Sequence, residues 1–335
     1  MTKKTILITG ATGFLGRAVL KAFQDDNNAN VDDDGDAKKW EIYGQGFSRE
    51  IPETQILKVD LTKDEDVEWL IGFTKPDVVI HCAANRYPDL CEANPELTRA
   101  LNVAATSRLA HLTAAQSSLL IYISTDYVFA GRPGEAPYEA DATTEPPNLY
   151  GLSKRDGEVA VLDATADKEG GGQGMGVVLR VPVLYGKAET TAESAVNVLI
   201  DAVWRAQDSA DKGVVKMDHW AKRYPTNIED VARVVRDVVG KYVTEGKGNA
   251  LPRILQFSSE DCMTKYEICE AFAEILGLGL EGGMVGEGEP GKGGPGPQRP
   301  FNTHLSTRAL REIGIDVTTQ DFRDWWRREL RAFRH

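Results

Sequence analysis

Short apolar runs alternate with segments of helical periodicity along the first half of the chain. Apolar, largely β-branched runs cover 5–10, 40–48, 76–84, 118–126 and 177–186. The stretches between them, such as 13–24 and a long segment at 95–116, space apolar side chains three and four positions apart, which is typical of amphipathic helices. Strands that alternate with helices form parallel βαβ units. The pattern therefore predicts an α/β fold with a doubly wound parallel sheet.

The pattern changes after residue 186. Helical periodicity returns at 192–207 and 264–278 and near the C-terminus, where "TTQDFRDWWRRELRAFRH" predicts an amphipathic helix with a short tail. A short apolar run at 253–259 predicts another strand. Glycine and proline are frequent over 277–300, so we expect a long irregular loop there.

Composition disfavours several functional classes. A net charge of −12 and a pI of about 5.0 disfavour binding to nucleic acids or anionic membranes, because phosphate groups repel an acidic chain. No apolar run approaches the roughly 18–20 residues that span a bilayer. The N-terminus has no signal-peptide pattern, so we expect a cytoplasmic protein. The four cysteines form no C-x-x-C pair and the five histidines are scattered, so we expect no metal site.

A glycine motif follows the first predicted strand and opens the first helix. The three glycines of "GATGFLG" are Gly10, Gly13 and Gly16. The first permits a tight turn, the second lets the backbone approach a pyrophosphate, and the third allows close packing of helix on sheet. The helix N-terminus adds amide hydrogens and a positive dipole. The context predicts a dinucleotide-binding Rossmann domain, although a structural turn is the alternative.

The change of pattern after residue 186 suggests a division into two domains. We expect the Rossmann domain to comprise 1–182 and 226–258. A smaller α/β domain that binds a substrate or partner is expected to comprise 183–225 and 259–335.

The end of the second strand bears on the choice of dinucleotide. Sites that prefer NAD usually have an acidic residue there, whereas this strand ends in Phe47, Ser48 and Arg49. An arginine and a hydroxyl suit a 2′-phosphate, so we favour NADP over the alternative of an ordinary surface arginine. Further along the chain, Asp60 is a candidate acceptor for the adenine amino group.

Small residues follow the strand at 76–84. Ala83 and Ala84 would let the cofactor pass over the end of that strand.

A possible catalytic set follows the fifth strand. Tyr150 and Lys154 are four residues apart, which places them on one face of a helix. A nearby ammonium favours the phenolate, so we expect Lys154 to lower the pKa of Tyr150 and to bind the nicotinamide ribose. Thr125 would bond the substrate oxygen, and Asn102 would hold a water behind the lysine. The same residues serve proton donation or cofactor binding alone.

These motifs are similar to the extended short-chain dehydrogenase/reductase family over nearly the whole chain. The segments "STDYVFAG" and "LYGLSK" narrow the resemblance to the dTDP-4-dehydrorhamnose reductase branch, whose members reduce a 4-keto nucleotide sugar with NADPH. The chain resembles still more closely the family of methionine adenosyltransferase regulatory β subunits. The most specific segments for that resemblance are "MDHW" at 217–220 and "RYPT" at 223–226.

The second resemblance implies a protein that binds NADP and docks on the methionine adenosyltransferase catalytic subunit, which makes S-adenosylmethionine. It implies that the dinucleotide site is lined by Thr12, Gly13, Phe14, Leu15, Phe47, Ser48, Arg49, Asp60, Leu61, Cys82, Arg86, Tyr150 and Leu184. In that family the C-terminal tail enters a groove on the catalytic subunit, so Phe333 and His335 are the expected contacts. This chain departs from the family pattern at Arg334, in the acidic stretch 25–39 and in the glycine-rich stretch 279–296.

Two functions from different classes therefore stay open. A regulatory subunit needs an exposed apolar anchor, for which Trp325, Trp326 and Phe333 are candidates, although the tryptophans can instead pack into the core. An NADPH-dependent reductase that uses Tyr150 as proton donor needs a basic pocket for a nucleotide diphosphate. Lys222, Arg223 and Arg299 are the candidates for that pocket.

Overall fold

A seven-stranded parallel sheet forms the larger part of the computed structural model. The structure describes residues 3–29, 39–48, 55–166, 175–208, 213–245, 251–289 and 296–332. The sheet order is β10-β6-β5-β4-β1-β2-β3, and every pair is parallel. Its strands are β1 (Lys4–Thr9), β2 (Trp40–Gly46), β3 (Ile56–Lys58), β4 (Val78–His81), β5 (Leu119–Thr125), β6 (Gly176–Val181) and β10 (Ile254–Gln256). This confirms the predicted doubly wound α/β fold.

Helices cover both faces of this sheet, as its apolar strands require. On one face, α1 (Phe14–Ala29) and α8 (Ile228–Glu245) bury Phe23 and Val235 against Ile6 and Ile8. The opposite face is covered by α2 (Asp64–Thr74), α5 (Thr106–Ala115) and α6 (Leu149–Ala164). The order of strands reverses between β1 and β4, and ligands of such folds bind beyond the strand ends at that point.

A smaller lobe is built around a second apolar cluster. It contains Tyr185, Phe272 and Trp326, together with neighbouring aliphatic residues. Its elements are β7 (Leu184–Tyr185), α7 (Leu199–Gln207), β8 (Val215–Asp218), β9 (Thr226–Asn227), α9 (Lys265–Leu276), β11 (Met284–Glu287) and α11 (Phe322–Glu329). Between them, α10 (Arg308–Glu312) returns to the large sheet, where Leu310 joins the first cluster. The division into two domains at the expected boundaries stays a prediction.

Three predicted segments differ from the structure. The helix expected at 95–116 is divided into α4 (Pro95–Arg99), a π-helical turn (Ala100–Ala105) and α5, and α3 (Pro88–Ala93) precedes it. The helix expected from 192 begins only at Leu199, because the Ser194 hydroxyl accepts hydrogen bonds from two backbone amides of the preceding turn.

The third difference concerns the glycine-rich region. Within it, β11 pairs in parallel with β8, a partner nearly 70 residues earlier in the chain. That pairing leaves no local signal in the sequence.

Within the described ranges, no helix is long and apolar enough to cross a bilayer. Those residues also include no group of three or more histidine, cysteine, aspartate or glutamate residues arranged to hold a metal ion.

Candidate functional site

The glycine motif forms a tight loop between β1 and α1. Gly10 has a φ of 64°, and a Cβ added there would lie 2.8 Å from the backbone nitrogen of Ala83. A Cβ on Gly16 would lie 2.0 Å from the Gly10 carbonyl oxygen, so α1 packs directly on the loop. Gly13 is exposed at the start of the helix, whereas Phe14 and Leu15 are buried beneath it. The N-terminus of α1 is therefore exposed at Gly13, and helix N-termini are common binding sites for phosphate.

Gln45 holds this loop and was not predicted. Its side-chain oxygen accepts a hydrogen bond from Gly10 N at 2.9 Å, and its backbone oxygen accepts one from Ala11 N at 2.9 Å. Its side-chain amide donates to the Val59 carbonyl at 2.7 Å. A buried glutamine in an apolar strand was the available signal, because such a side chain needs hydrogen-bond partners.

The candidate adenosine residues lie at the ends of β2 and β3. Phe47 and Ser48 are exposed, while Arg49 lies outside the described residues. Asp60 accepts two hydrogen bonds from Thr62, at 3.0 Å from its amide and 2.7 Å from its hydroxyl. These bonds lower the pKa of Asp60, so its carboxylate is ionised at neutral pH. Leu61 is buried beside it.

The segment after β4 passes close to the glycine loop. Cys82, Ala83 and Ala84 are partly buried there. Burial raises the pKa of Cys82 to about 12, so this thiol stays protonated at neutral pH. The guanidinium of Arg86 lies 6.0 Å from the ring centroid of Phe14, which joins this segment to α1.

Asn102 lies in the π-helical turn and is almost fully buried. Its side-chain oxygen accepts a hydrogen bond from Asn85 N at 2.8 Å. Its amide donates to the Asn85 carbonyl at 2.9 Å and to the Ser153 hydroxyl at 3.0 Å. The side chain therefore fastens α6 to the segment after β4. The predicted role of holding a water stays a prediction.

Tyr150 and Lys154 lie on α6, beside the end of β5. Asn148 caps this helix by accepting a hydrogen bond from Gly151 N at 2.9 Å, so Tyr150 lies in the first turn. The Nζ atom of Lys154 lies 4.0 Å from the ring centroid of Tyr122. Burial lowers the pKa of Lys154 to about 7, partly opposed by the charge of Glu158.

The ionisation of Tyr150 differs from our expectation. Burial raises its pKa above the ordinary value, a hydrogen bond with Thr125 partly opposes that rise, and the charge of Asp126 adds to it. We expected the ammonium of Lys154 to lower this pKa. The expected lowering of the Tyr150 pKa is therefore wrong for the protein's own groups, because burial of the phenol has the larger effect. Burial also lowers the pKa of Lys154, which reduces the positive charge that could stabilise a phenolate.

His81 is a second buried residue that was not predicted. Its Nδ1 lies 2.6 Å from the Thr9 hydroxyl and its Nε2 lies 2.9 Å from the Thr106 hydroxyl. Thr106 donates its only hydroxyl proton to the Asn102 carbonyl, so Nε2 of His81 donates and Nδ1 accepts. Burial, with a contribution from Lys154, lowers the pKa of His81 to about 3. The neutral ring therefore joins β1, β4 and α5.

Cationic side chains from the C-terminal half of the chain lie close enough for their charges to act on one another. Arg223 is 6% exposed, and its Nη2 lies 3.6 Å from an Asp218 carboxylate oxygen but has no hydrogen-bond partner among the described residues. Burial and the charges of Arg299 and Arg223 lower the pKa of Lys265 to about 8. Arg299 forms an ion pair with Asp89 at 2.8 Å, and Lys222 lies over Phe301.

Asp126 connects the end of β5 to the C-terminal part of the chain at this site. One of its carboxylate oxygens accepts a hydrogen bond from the Thr303 hydroxyl at 2.5 Å. Burial raises the pKa of Asp126 to about 6, although that bond and the charge of Arg223 oppose the rise. Thr303 lies in the segment between β11 and α10, so the position of Thr125 and Asp126 depends on the C-terminal part of the chain as well.

The two candidate tryptophan anchors are buried. Trp325 and Trp326 are 5% and 2% exposed, and both pack against Tyr185. The core alternative considered for them is therefore the one that the structure adopts. Phe333 and His335 lie outside the described residues.

The fold and site together define a class of protein. The parallel sheet, the glycine loop, and Thr125, Tyr150 and Lys154 at one sheet edge are those of an extended short-chain dehydrogenase/reductase. A structure of dTDP-4-dehydrorhamnose reductase from Bacillus anthracis, in complex with NADP, matches with a TM-score of 0.74. It is 20% identical, and the match covers 99% of this chain and 100% of that one. At this identity the likeness concerns the fold alone.

Sequence comparison narrows this class to a family. The model of the RmlD substrate binding domain matches residues 4–333. Methionine adenosyltransferase 2 subunit beta of Rattus norvegicus is 39% identical over 318 residues, which cover 94% of this chain and 84% of the relative. The protein of the same name from Danio rerio is 36% identical over 99% of this chain and 92% of its own length. The chain therefore belongs to the RmlD substrate binding domain family and, within it, to the methionine adenosyltransferase 2 subunit beta family.

Proposed function

We propose that this chain is an NADP-binding regulatory subunit that docks on the catalytic subunit of methionine adenosyltransferase. The observation that carries the proposal is its 36–39% identity to β subunits over 93–99% of its length. The identity includes the smaller lobe as well as the dinucleotide-binding lobe. A likeness confined to the Rossmann lobe would have supported cofactor binding only. We expect the complex to act in the cytoplasm.

The geometry of the larger lobe fits a dinucleotide. The amides near Gly13 would hold the pyrophosphate, and Asp60 would accept from the adenine amino group. The glycine loop packs directly on the segment after β4, since a Cβ on Gly10 would lie 2.8 Å from Ala83 N, and the small side chains of Ala83 and Ala84 would let a cofactor pass over that segment. Other residues assigned to the site are Gly10, Thr12, Phe14, Leu15, Gly16, Phe47, Leu61, Cys82, Arg86, Asn102, Tyr150, Lys154 and Leu184.

The preference for NADP over NAD rests on the end of β2. Ser48 is exposed there, and Arg49 follows it in the sequence. A calorimetric comparison of NADP and NAD tests this assignment, and we expect NADP to bind more tightly. Arg49→Ala should remove most of the difference, because the guanidinium is the group that we assign to the 2′-phosphate. Equal affinities in the wild-type chain would contradict the preference.

Docking on the catalytic subunit is tested by a calorimetric titration with the full chain and with a chain that lacks residues 333–335. The deletion stops there because α11 extends to Glu329, and Leu330 packs on the second apolar cluster. We expect binding by the full chain and loss of binding by the shortened chain, with unchanged NADP affinity. Binding that survives the deletion would place the contact elsewhere. No binding by the full chain would refute the regulatory role.

A second candidate function is reduction of a 4-keto nucleotide sugar. The observation that favours it is the buried Arg223, whose charge acts on Lys265 together with that of Arg299. Its Nη2 has an ion pair with Asp218 at 3.6 Å but no hydrogen-bond partner among the described residues, so it could bond a diphosphate. When bound, NADPH supplies a hydride to a carbonyl carbon. Tyr150 would donate the proton to the carbonyl oxygen, and Thr125 would orient that oxygen.

Oxidation of NADPH in the presence of a 4-keto nucleotide sugar tests this alternative. Turnover that disappears in Tyr150→Phe while NADP still binds would establish it. Absence of turnover, together with tight binding to the catalytic subunit, would leave the regulatory function alone.

A further inference from the structure

An ion pair connects the glycine loop to the smaller lobe. Residues 187–194, which we name the linking segment, run from the end of β7 toward α7. Glu193, in a short 3-10 turn of this segment, accepts two hydrogen bonds from Arg17 of α1, at 2.9 Å and 2.6 Å. The two side chains are 26% and 21% exposed, so the pair is partly shielded from water. Bidentate geometry and shielding both strengthen such a pair.

Arg17 also holds the glycine loop directly. The Nη1 that bonds Glu193 donates a second hydrogen bond, at 2.8 Å, to the carbonyl oxygen of Thr12. A loop that binds phosphate must direct its amides toward the anion and its carbonyls away from it. By bonding this carbonyl, Arg17 fixes the loop in an orientation that suits a phosphate.

Hydrogen bonds within the linking segment hold the Glu193 side chain in position. The carboxylate oxygen that is nearer Nη2 of Arg17 also accepts from Glu189 N at 2.8 Å. The segment is tied a second time to the larger lobe, since the Tyr87 hydroxyl donates to the Ala192 carbonyl at 2.7 Å. Tyr87 follows Arg86 in the segment after β4, so the linking segment is bonded to two parts of the larger lobe that border the proposed dinucleotide site.

The linking segment continues into the packed part of the smaller lobe. The Ser194 hydroxyl donates to the Leu184 carbonyl at 2.7 Å, and the Asn197 side chain donates to the Gly186 carbonyl at 2.8 Å. Val196 and Leu199 then enter the second apolar cluster. A change in the position of Glu193 would therefore be passed to the lobe that we assign to partner binding.

We propose that Arg17 is a positioning residue, which couples occupancy of the glycine loop to the order of the linking segment through Glu193. This inference rests on the proposed binding of NADP. It adds a route by which the dinucleotide, when bound at the larger lobe, stabilises one arrangement of the smaller lobe. The coupling is reciprocal, so a partner that orders the linking segment would also tighten NADP binding.

The test uses the full chain and four variants: Arg17→Gln, Glu193→Gln, the double variant, and Lys21→Gln. Lys21 lies on the same helix in an exposed ion pair with Asp25, so its variant is the matched control. Calorimetry gives the NADP affinity of each protein. We expect Glu193→Gln to weaken binding about fivefold in the wild-type chain but to have no further effect in the Arg17→Gln background, because coupled residues are not additive.

Hydrogen exchange supplies a readout that a purely structural ion pair would not change. At saturating NADP, exchange over residues 187–198 should slow in the wild type and in Lys21→Gln, but not in Glu193→Gln. Equal effects of Glu193→Gln in both backgrounds, or protection that persists in Glu193→Gln, would overturn the coupling while leaving NADP binding intact. A wild-type chain that does not bind NADP would refute the proposed cofactor function and this inference with it.

Discussion

Lys154 is a buried lysine beside the proposed site. It is 3% exposed and lies over the ring of Tyr122. Burial lowers its pKa from 10.5 to about 7, so Lys154 loses its proton far more readily than a surface lysine does. A neutral amine can donate a hydrogen bond to a ribose hydroxyl, but it stabilises a phenolate much less than an ammonium does. The low pKa therefore favours a role for Lys154 in binding rather than in catalysis when no cofactor is bound.

The buried lysine should make stability depend on pH. Between pH 7 and 10.5 the unfolded chain holds a proton on Lys154 that the folded chain has lost, so the free energy of unfolding should rise with pH over that window. The slope from this group is at most about 1.4 kcal/mol per pH unit. Urea unfolding at pH 7.5 and 9 should show the rise in the wild type and a smaller rise in Lys154→Met. Equal slopes would show that Lys154 is not buried as described.

Gly16 should be intolerant of even one added methyl group. A Cβ there would lie 2.0 Å from the Gly10 carbonyl oxygen, so Gly16→Ala must displace α1 or the loop. We expect a loss of about 1–3 kcal/mol in the free energy of unfolding, together with loss of NADP binding. Gly72→Ala is the matched control, because a Cβ in α2 meets nothing within 4 Å and should stabilise by up to about 1 kcal/mol.

The glycine motif was predictable because its three members follow one another at fixed spacing after a strand. Gln45 and His81, which hold the same loop and the neighbouring helix, were not. Their partners lie 35 and 72 residues away in the sequence, and only the fold brings them together. A buried polar residue in an apolar strand indicates that a partner exists but does not identify it.

The π-helical turn at Ala100–Ala105 is the element most closely tied to the site. Such turns insert an extra residue into a helix and are frequent at functional sites. This one contains Asn102, whose side chain makes three hydrogen bonds to Asn85 and Ser153. Helical periodicity alone predicted one regular helix here, since the insertion changes the spacing of apolar positions only slightly.

Removing the Asn102 side chain should loosen α6 from the segment after β4. Asn102→Ala leaves the partly buried amide and carbonyl of Asn85 without these partners, and an unsatisfied buried group costs about 1–3 kcal/mol. We expect the free energy of unfolding to fall by at least about 2 kcal/mol in urea. Asn28→Ala, at an exposed position of α1, should change it by less than about 0.5 kcal/mol. Similar losses in the two variants would contradict the bonding described for Asn102.

Contacts between the lobes indicate that the molecule unfolds as one unit. Arg17 bonds Glu193, Asp126 bonds Thr303, and Leu310 returns from the C-terminal part to the core of the large sheet. These contacts join segments that are more than 170 residues apart in the first two cases. Loss of packing in the smaller lobe should therefore also destabilise the strands of the larger lobe.

Trp326 provides the test of this cooperativity. The ring is enclosed by Tyr185, Phe272, Phe322 and Trp325, so Trp326→Ala should lower the free energy of unfolding by about 3–5 kcal/mol. Trp204→Ala, at a half-exposed position of α7, should cost much less. Hydrogen exchange in urea, followed on peptides from β1 and β5, should show the larger-lobe strands opening at a lower concentration in Trp326→Ala. Strands that open at the wild-type concentration would mean that the smaller lobe unfolds on its own.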